Sequence, residues 1–259
     1  MFPLKDNIPT RRTPYVTIAL IAANVLVFFL QLRGGGTLFG GPTEQTVVDW
    51  GVIPYEVTHL GDHCDLLQGQ VVCEGQPGVS GQADDQPATV VTAFSSMFMH
   101  AGLLHIGGNM LFLWIFGNNV EDAMGRVRFI LFYLLGGLAA IALQTAVDVD
   151  AAVPSLGASG AVAGVLGGYL LLYPRAKVLT LVFLIVFFAF IELPAIAFLF
   201  IWFAQQAVFG LADLTDPTGE GGGVAYFAHI GGFLFGLLAI KLFADRQQDD
   251  YVQPKYPVY

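Results

Sequence analysis

The chain has 259 residues, 55% of them hydrophobic and 12% charged, with a mean hydropathy of +0.66 and a net charge of −9. Soluble domains carry about 25% charged residues, so this composition points to a membrane protein. With two cysteines, Cys64 and Cys73, the chain has neither a disulfide framework nor a CxxC metal pattern.

A membrane-crossing helix needs about 20 mostly apolar residues. The first such run, Tyr15–Leu32, follows Arg11 and Arg12 but exceeds the apolar core of a signal peptide, usually about 7–15 residues. It is expected to span the membrane. The segment Gly34–Val91 is too long for a plain connector. Its Asp49–Pro54 stretch is amphipathic and is expected to rest on a leaflet. Cys64 and Cys73 lie in this loop, where a disulfide between them is open to them. His59 and His63 read as solvated loop residues, since no second metal-ligand spacing accompanies them. Leu103–Val120, Phe129–Val147, Gly157–Tyr173, Leu193–Leu211 and Val224–Phe243 complete a predicted set of six spans. Val178–Ile191 is also apolar and is expected to be an interfacial or re-entrant lead-in to the fifth.

Cytoplasmic loops are rich in Lys and Arg. With the N-terminus inside, ten of the eleven basic residues lie inside, and only Arg33 falls outside. The predicted architecture is thus one all-α polytopic domain, N-in and C-in. Residues 1–14 and 244–259 are cytoplasmic, and residues 34–91 form a long outer loop. The acids crowd the outer segments, so the negative charge describes an outer face rather than a nucleic-acid site.

Polar side chains inside apolar spans are costly and therefore functional candidates. His105 and Asn109 in the second helix, Ser159 in the fourth and His229 in the sixth stand out, with His100 at the mouth of the second. These helices all run from outside to inside, and each candidate lies within roughly two turns of the outer end. His105 and Asn109, at i and i+4, share a face. Small-residue stripes run beside the other two: Gly160, Gly164 and Gly168, and Ala228, Gly232 and Gly236. Such stripes let membrane helices approach closely, which would bring Ser159 to His229. The approach to Ser159, Pro154–Gly157, is expected to be non-helical. At membrane depth such backbone is tolerated inside protein or beside a wet cavity.

A lone Ser is usually a packing residue and a lone His can be structural, but their coincidence at one depth favours chemistry. His100 and His105 are about 140° apart on a helix and form no metal face. A transporter would need a polar path to the inner side, which Leu166–Tyr173 does not offer. His229 could act as base for the Ser159 hydroxyl, a dyad without a carboxylate. His105, Asn109 and the Ser159 backbone N–H could face an oxyanion, each such donor being worth about 3–4 kcal/mol. Gly157 and Gly160 allow close approach of substrate backbone.

His100-x4-His105-x3-Asn109, Gly157-Ala158-Ser159-Gly160 and Ala228-His229-Ile230-Gly231-Gly232 resemble the signature set of the rhomboid intramembrane serine proteases. Gly117–Gly125 resembles that family's inner loop, and the likeness runs from about Phe94 to Gly236. The resemblance implies a six-helix rhomboid core with a Ser159–His229 dyad, His105 and Asn109 at the oxyanion, and His100 in support. It also implies single-span membrane protein substrates cut near the outer boundary of the cell membrane, a gate at the fifth helix and following loop, and no metal or organic cofactor. A relative that binds membrane clients without cutting them is the alternative. Two departures stand out. The outer loop has Trp50 but no arginine, and Ala163 replaces a tyrosine that stacks on the catalytic histidine in some members. Tyr226 or Phe227 is expected to orient His229 instead.

Overall fold

The computed structural model describes residues 1–84, 86–184, 187–214 and 224–244. In chain order the elements are β1 (Phe2–Asp6), α1 (Tyr15–Gln31), α2 (Glu44–Trp50), α3 (Pro54–Thr58), β2 (Cys64–Leu67), β3 (Gln70–Cys73) and α4 (Thr89–Ser95). They continue with α5 (Leu103–Phe112), α6 (Asn118–Met124), α7 (Arg126–Val147), α8 (Ser159–Leu172), β4 (Lys177–Leu184), β5 (Phe187–Pro194), α9 (Ala195–Leu214) and α10 (Tyr226–Phe243). A π-helical turn, Leu113–Gly117, joins α5 to α6. The expected tail from residue 245, Asp85, and the 215–223 part of the loop after α9 lie outside the described residues.

Each predicted apolar run contains a helix. Tyr15–Gly34, Arg126–Val147, Ala195–Leu214 and Tyr226–Phe243 are long and apolar enough to cross a membrane. Leu103–Met124 pairs with Thr89–Phe98 across an 82° bend to give a fifth candidate. The chain is therefore a multi-pass, mostly helical membrane protein. At 14 residues α8 is shorter, and every residue from Gly160 to Tyr169 is buried. A helix enclosed by protein has no lipid-facing length to match.

Helix α8 packs on α10 with backbone against backbone, and the glycine stripes explain why. A Cβ on Gly232 would lie 2.0 Å from the Gly160 carbonyl oxygen, and one on Gly236 would lie 2.0 Å from that of Gly164. On its other side, a Cβ on Gly160 would meet Ala140 of α7 at 2.5 Å. The expected pairing of the two stripes is therefore present.

The all-α expectation needs correction. Val178–Ile191, expected as an interfacial or re-entrant lead-in to the fifth span, forms most of the β4–β5 hairpin, which runs directly into α9. Its Val, Ile, Thr and Phe content favours strand over helix. The N-terminal segment adds β1 antiparallel to β4, in the order β1-β4-β5. Phe183, Phe187, Phe188 and Phe190 stay exposed on this hairpin, and Lys177 pairs with Glu192 at its base, 3.3 Å apart.

Two carboxylates tie the N-terminal segment and α1 to the bundle. Glu121, 4% exposed on α6, accepts from the Val16 N–H at 3.1 Å, the Thr17 N–H at 2.7 Å and the Thr17 hydroxyl at 2.8 Å. It thereby caps the first turn of α1, where backbone donors lack helical partners and negative charge is favoured. Asp6, at the end of β1, accepts from the Tyr169 hydroxyl at 2.5 Å and the Asn119 amide at 2.7 Å.

Burial pushes the Asp6 carboxyl up to about 6, outweighing the hydrogen bonds from Tyr169, the Ile8 backbone and Asn119 that pull it down. The folded state therefore holds this proton more tightly than the unfolded chain. The associated stability is full below the ordinary carboxylate range and is lost as pH rises through about 6. Asp6→Asn, which stays neutral, is expected to flatten the fall in Tm between about pH 4 and 7. Thermal melts in lipid across that range test this, and an unchanged slope would refute it.

The long loop carries its own small core of Val48, Ile53, Tyr55, Cys64 and Cys73. A Cys64–Cys73 disulfide closes the β2–β3 hairpin. In the Asp49–Pro54 stretch, expected to rest on a leaflet, Val52 and Ile53 are buried within the protein while Trp50 remains 44% exposed. His59 stacks on Tyr55 with ring centroids 4.0 Å apart. Val52 and Ser155 exchange backbone hydrogen bonds of 3.0 and 2.8 Å, so the loop grips the segment that leads to Ser159.

Candidate active site

Ser159 is the first residue of α8, preceded by the extended Pro154–Gly157 segment. Two loops fix that segment. The Gly157 N–H donates to the Ser96 carbonyl at 2.8 Å, and Ser155 pairs with Val52 as described. Gly157 has φ +132°, a conformation open to glycine. The serine hydroxyl is thus held at a helix N-terminus, where free backbone donors and the helix dipole favour negative charge.

Helix α10 brings His229 to it, with Nε2 lying 2.7 Å from Ser159 Oγ. The start of α10 is anchored to α7, the Ala228 N–H donating to Gln144 Oε1 at 3.1 Å. On its far side the imidazole meets α9, with Nδ1 2.8 Å from Gln206 Oε1. The Trp202 ring lies 6.0 Å from the His229 ring, tilted by 36°. Orientation of His229 therefore comes from Gln206 and Trp202. The expected Tyr226 packs on Phe209 instead, and Phe227 packs toward Gly210.

The opposite wall comes from α5. His105 Nδ1 accepts from the Ala101 N–H at 3.3 Å. With that nitrogen an acceptor, the neutral ring carries its proton on Nε2, the nitrogen that faces Gly157 and Ser159. A Cβ on Gly157 would lie 2.9 Å from His105 Nε2 and 3.6 Å from Ser159 Oγ, so the three groups share one small space. Asn109 is 8% exposed, and its Nδ2 has no hydrogen-bond partner among the described residues. A buried amide donor left open is what an incoming acceptor would satisfy.

His100 is fully buried, its ring edge-on to His105 with centroids 5.1 Å apart. Its backbone is clamped by Gln31 of α1, whose Oε1 accepts from the His100 N–H at 3.1 Å and whose Nε2 donates to the His100 carbonyl. His100 therefore packs behind His105. Ser159, His229, His105, Gly157, Gly160 and His100 come together in the structure, and Asn109 lies one turn along α5 from His105. Gln206, Gln31 and Gln144 are additions to that set.

A serine hydroxyl facing an imidazole, with donors on the opposite wall, is an arrangement suited to acyl transfer. The rhomboid domain model matches residues 87–246, more than half of the chain, and the chain belongs to the rhomboid family. It is 31% identical over 158 residues to Rhomboid protein 1, mitochondrial, of Saccharomyces cerevisiae, covering 60% of this chain and 42% of that protein. Against Rhomboid protease GluP of Bacillus subtilis it is 30% identical over 158 residues, covering 61% of this chain and 24% of that one. Presenilin-associated rhomboid-like protein A, mitochondrial, of Danio rerio is 32% identical over 147 residues, 55% of this chain and 34% of the relative. The chain thus spans less than half the length of each of these relatives.

Proposed function

We propose that this chain is an intramembrane serine endopeptidase that cuts single-span membrane proteins near the outer boundary of the cell membrane. The observation that carries the reading is the 2.7 Å approach of His229 Nε2 to Ser159 Oγ. Ser159 Oγ attacks the scissile carbonyl carbon while His229 Nε2 takes its proton. The carbonyl oxygen, now an oxyanion, is met by the Ser159 N–H, His105 Nε2–H and Asn109 Nδ2–H. Collapse of the tetrahedral species breaks the C–N bond, and His229 returns the proton to the departing amine. Water, deprotonated by His229, then cleaves the acyl-serine ester and restores the hydroxyl. His100, behind His105, supports the oxyanion wall. Gly157 keeps a side chain out of the space shared by His105 and Ser159, and Gly160 lets α8 pack closely on α7 and α10. No step calls for a metal or an organic cofactor.

The membrane placement follows from charge. Six spans with the N-terminus inside leave Arg33 as the single basic residue outside, which favours an active site opening to the extracytoplasmic face. The Phe-rich β4–β5 hairpin then lies at the inner interface, and the disulfide-closed loop lies outside, where oxidation is permitted.

The test is cleavage of a tagged single-span reporter by the purified protein in lipid, comparing wild type with Ser159→Ala. Ser159→Ala is expected to lower turnover by at least about 10³-fold. Equal cutting by both proteins would overturn the reading. Reporter binding without cutting by either would favour a client-binding rhomboid relative.

A further inference from the structure

We propose that Gln206 is a positioning residue for the hydrolysis, holding His229 in the one tautomer that can accept the Ser159 proton. The inference rests on the Ser159–His229 reading above and adds a third helix, α9, to it. Gln206 is 6% exposed in a candidate membrane span, where an amide side chain requires partners. Its orientation is set from within its own helix. Gln206 Nε2 donates to the Trp202 carbonyl, one turn back, at 3.4 Å. That leaves Oε1 directed at His229 Nδ1, 2.8 Å away.

A carbonyl oxygen can only accept, so Nδ1 must carry a hydrogen. A neutral imidazole has one N–H, and Nε2 is then left with its lone pair toward Ser159 Oγ. If Nδ1 had no acceptor, the ring could equally hold its proton on Nε2, where it opposes the serine hydroxyl. When His229 takes the serine proton, the positive ring still donates from Nδ1 to the amide oxygen. The carbonyl dipole then faces the charge that develops. This is the role a carboxylate fills in serine hydrolases with a triad. An amide suits a site inside apolar spans, because it orients the ring without adding a second buried ion. Trp202 lies one turn back on α9, so one helix sets both the plane and the tautomer of His229.

The test compares Gln206→Met, of similar length without the acceptor, with Gln206→Glu, which keeps an acceptor at the same position. Loss of the triad carboxylate alone costs about 10⁴-fold in a soluble serine protease. A neutral acceptor makes a weaker bond than a charged one, and the expected loss in kcat for Gln206→Met is roughly 10- to 100-fold. KM should stay within about twofold, since no substrate contact is removed. Tm in lipid should be close to wild type, and Gln206→Glu should recover most of the lost kcat. Labelling of Ser159 by a fluorophosphonate, which needs the activated nucleophile but no membrane substrate, should slow in step with kcat.

Wild-type kcat in Gln206→Met overturns the proposal. Equal losses in both variants, tracking a lowered Tm, also overturn it and make Gln206 a packing residue. Ser159→Ala in the same assay separates the two ideas. If it retains turnover, the hydrolase reading has failed. If it is dead while Gln206→Met is fully active, only the role of Gln206 has failed.

Discussion

Replacing Gly157 with alanine is expected to lower kcat roughly 10²- to 10³-fold while leaving the helical bundle assembled. A Cβ at this position would sit 2.8 Å from His105 Cε1 and 2.9 Å from Nε2, too close for either atom to stay. His105 cannot turn away freely, because its Nδ1 is tied to the Ala101 N–H. The ring must tilt, and its Nε2 donor leaves the space it shares with Ser159. The backbone adds to the effect: at φ +132° an L side chain is strained by about 1–3 kcal/mol, and relaxation drags Ser159 two residues on. Reporter cleavage under saturating substrate measures the loss, and Tm in lipid separates it from unfolding. A variant within a fewfold of wild type would mean that the wall opposite Ser159 is not where the substrate oxygen sits.

The second large effect belongs to Gly232. Gly232→Val would place a Cβ 2.0 Å from the Gly160 carbonyl oxygen and 3.0 Å from its carbon, both backbone atoms that no rotamer change can move. Helices α8 and α10 must part. Overpacking of this kind costs about 3 kcal/mol or more. The damage is also chemical, since Gly160 follows Ser159 and Gly232 lies three residues beyond His229. Tm should fall and fluorophosphonate labelling of Ser159 should be lost together. Gly107→Ala is the control, because a Cβ there meets nothing within 4 Å. Labelling at the wild-type rate in Gly232→Val would show that the α8–α10 contact does not set the Ser–His distance.

Much of this site was legible in the sequence because the membrane makes polar residues conspicuous. Ser159, His229, His105 and Asn109 stood out against apolar neighbours, and the glycine spacing named the faces that meet. Gln206 carried the same signal. It lies within two turns of the expected outer end of the fifth span, but that helix runs the other way, so its outer end is C-terminal. It therefore falls outside the group of polar residues that the outside-to-inside helices share. Gln31 and Gln144 were missed for a different reason, since each acts on backbone groups and leaves no motif. The strands of the hairpin were not foreseen, because a hydropathy window responds to apolar content and not to periodicity. The N-terminal strand was invisible for want of its partner, which lies across the chain at Val178–Leu181.

The disulfide-closed loop bears on the order in which the protein is built. Its residues leave the ribosome before Ser159 does, and its small core of Val48, Ile53, Tyr55, Cys64 and Cys73 can form without α8. Once formed, it offers the Val52 backbone as a template edge for Ser155. The segment before Ser159 therefore docks onto a surface already made, and the Ser159–His229 contact closes late in biogenesis. In that order of assembly, Ser159 has no imidazole beside it until α10 brings His229.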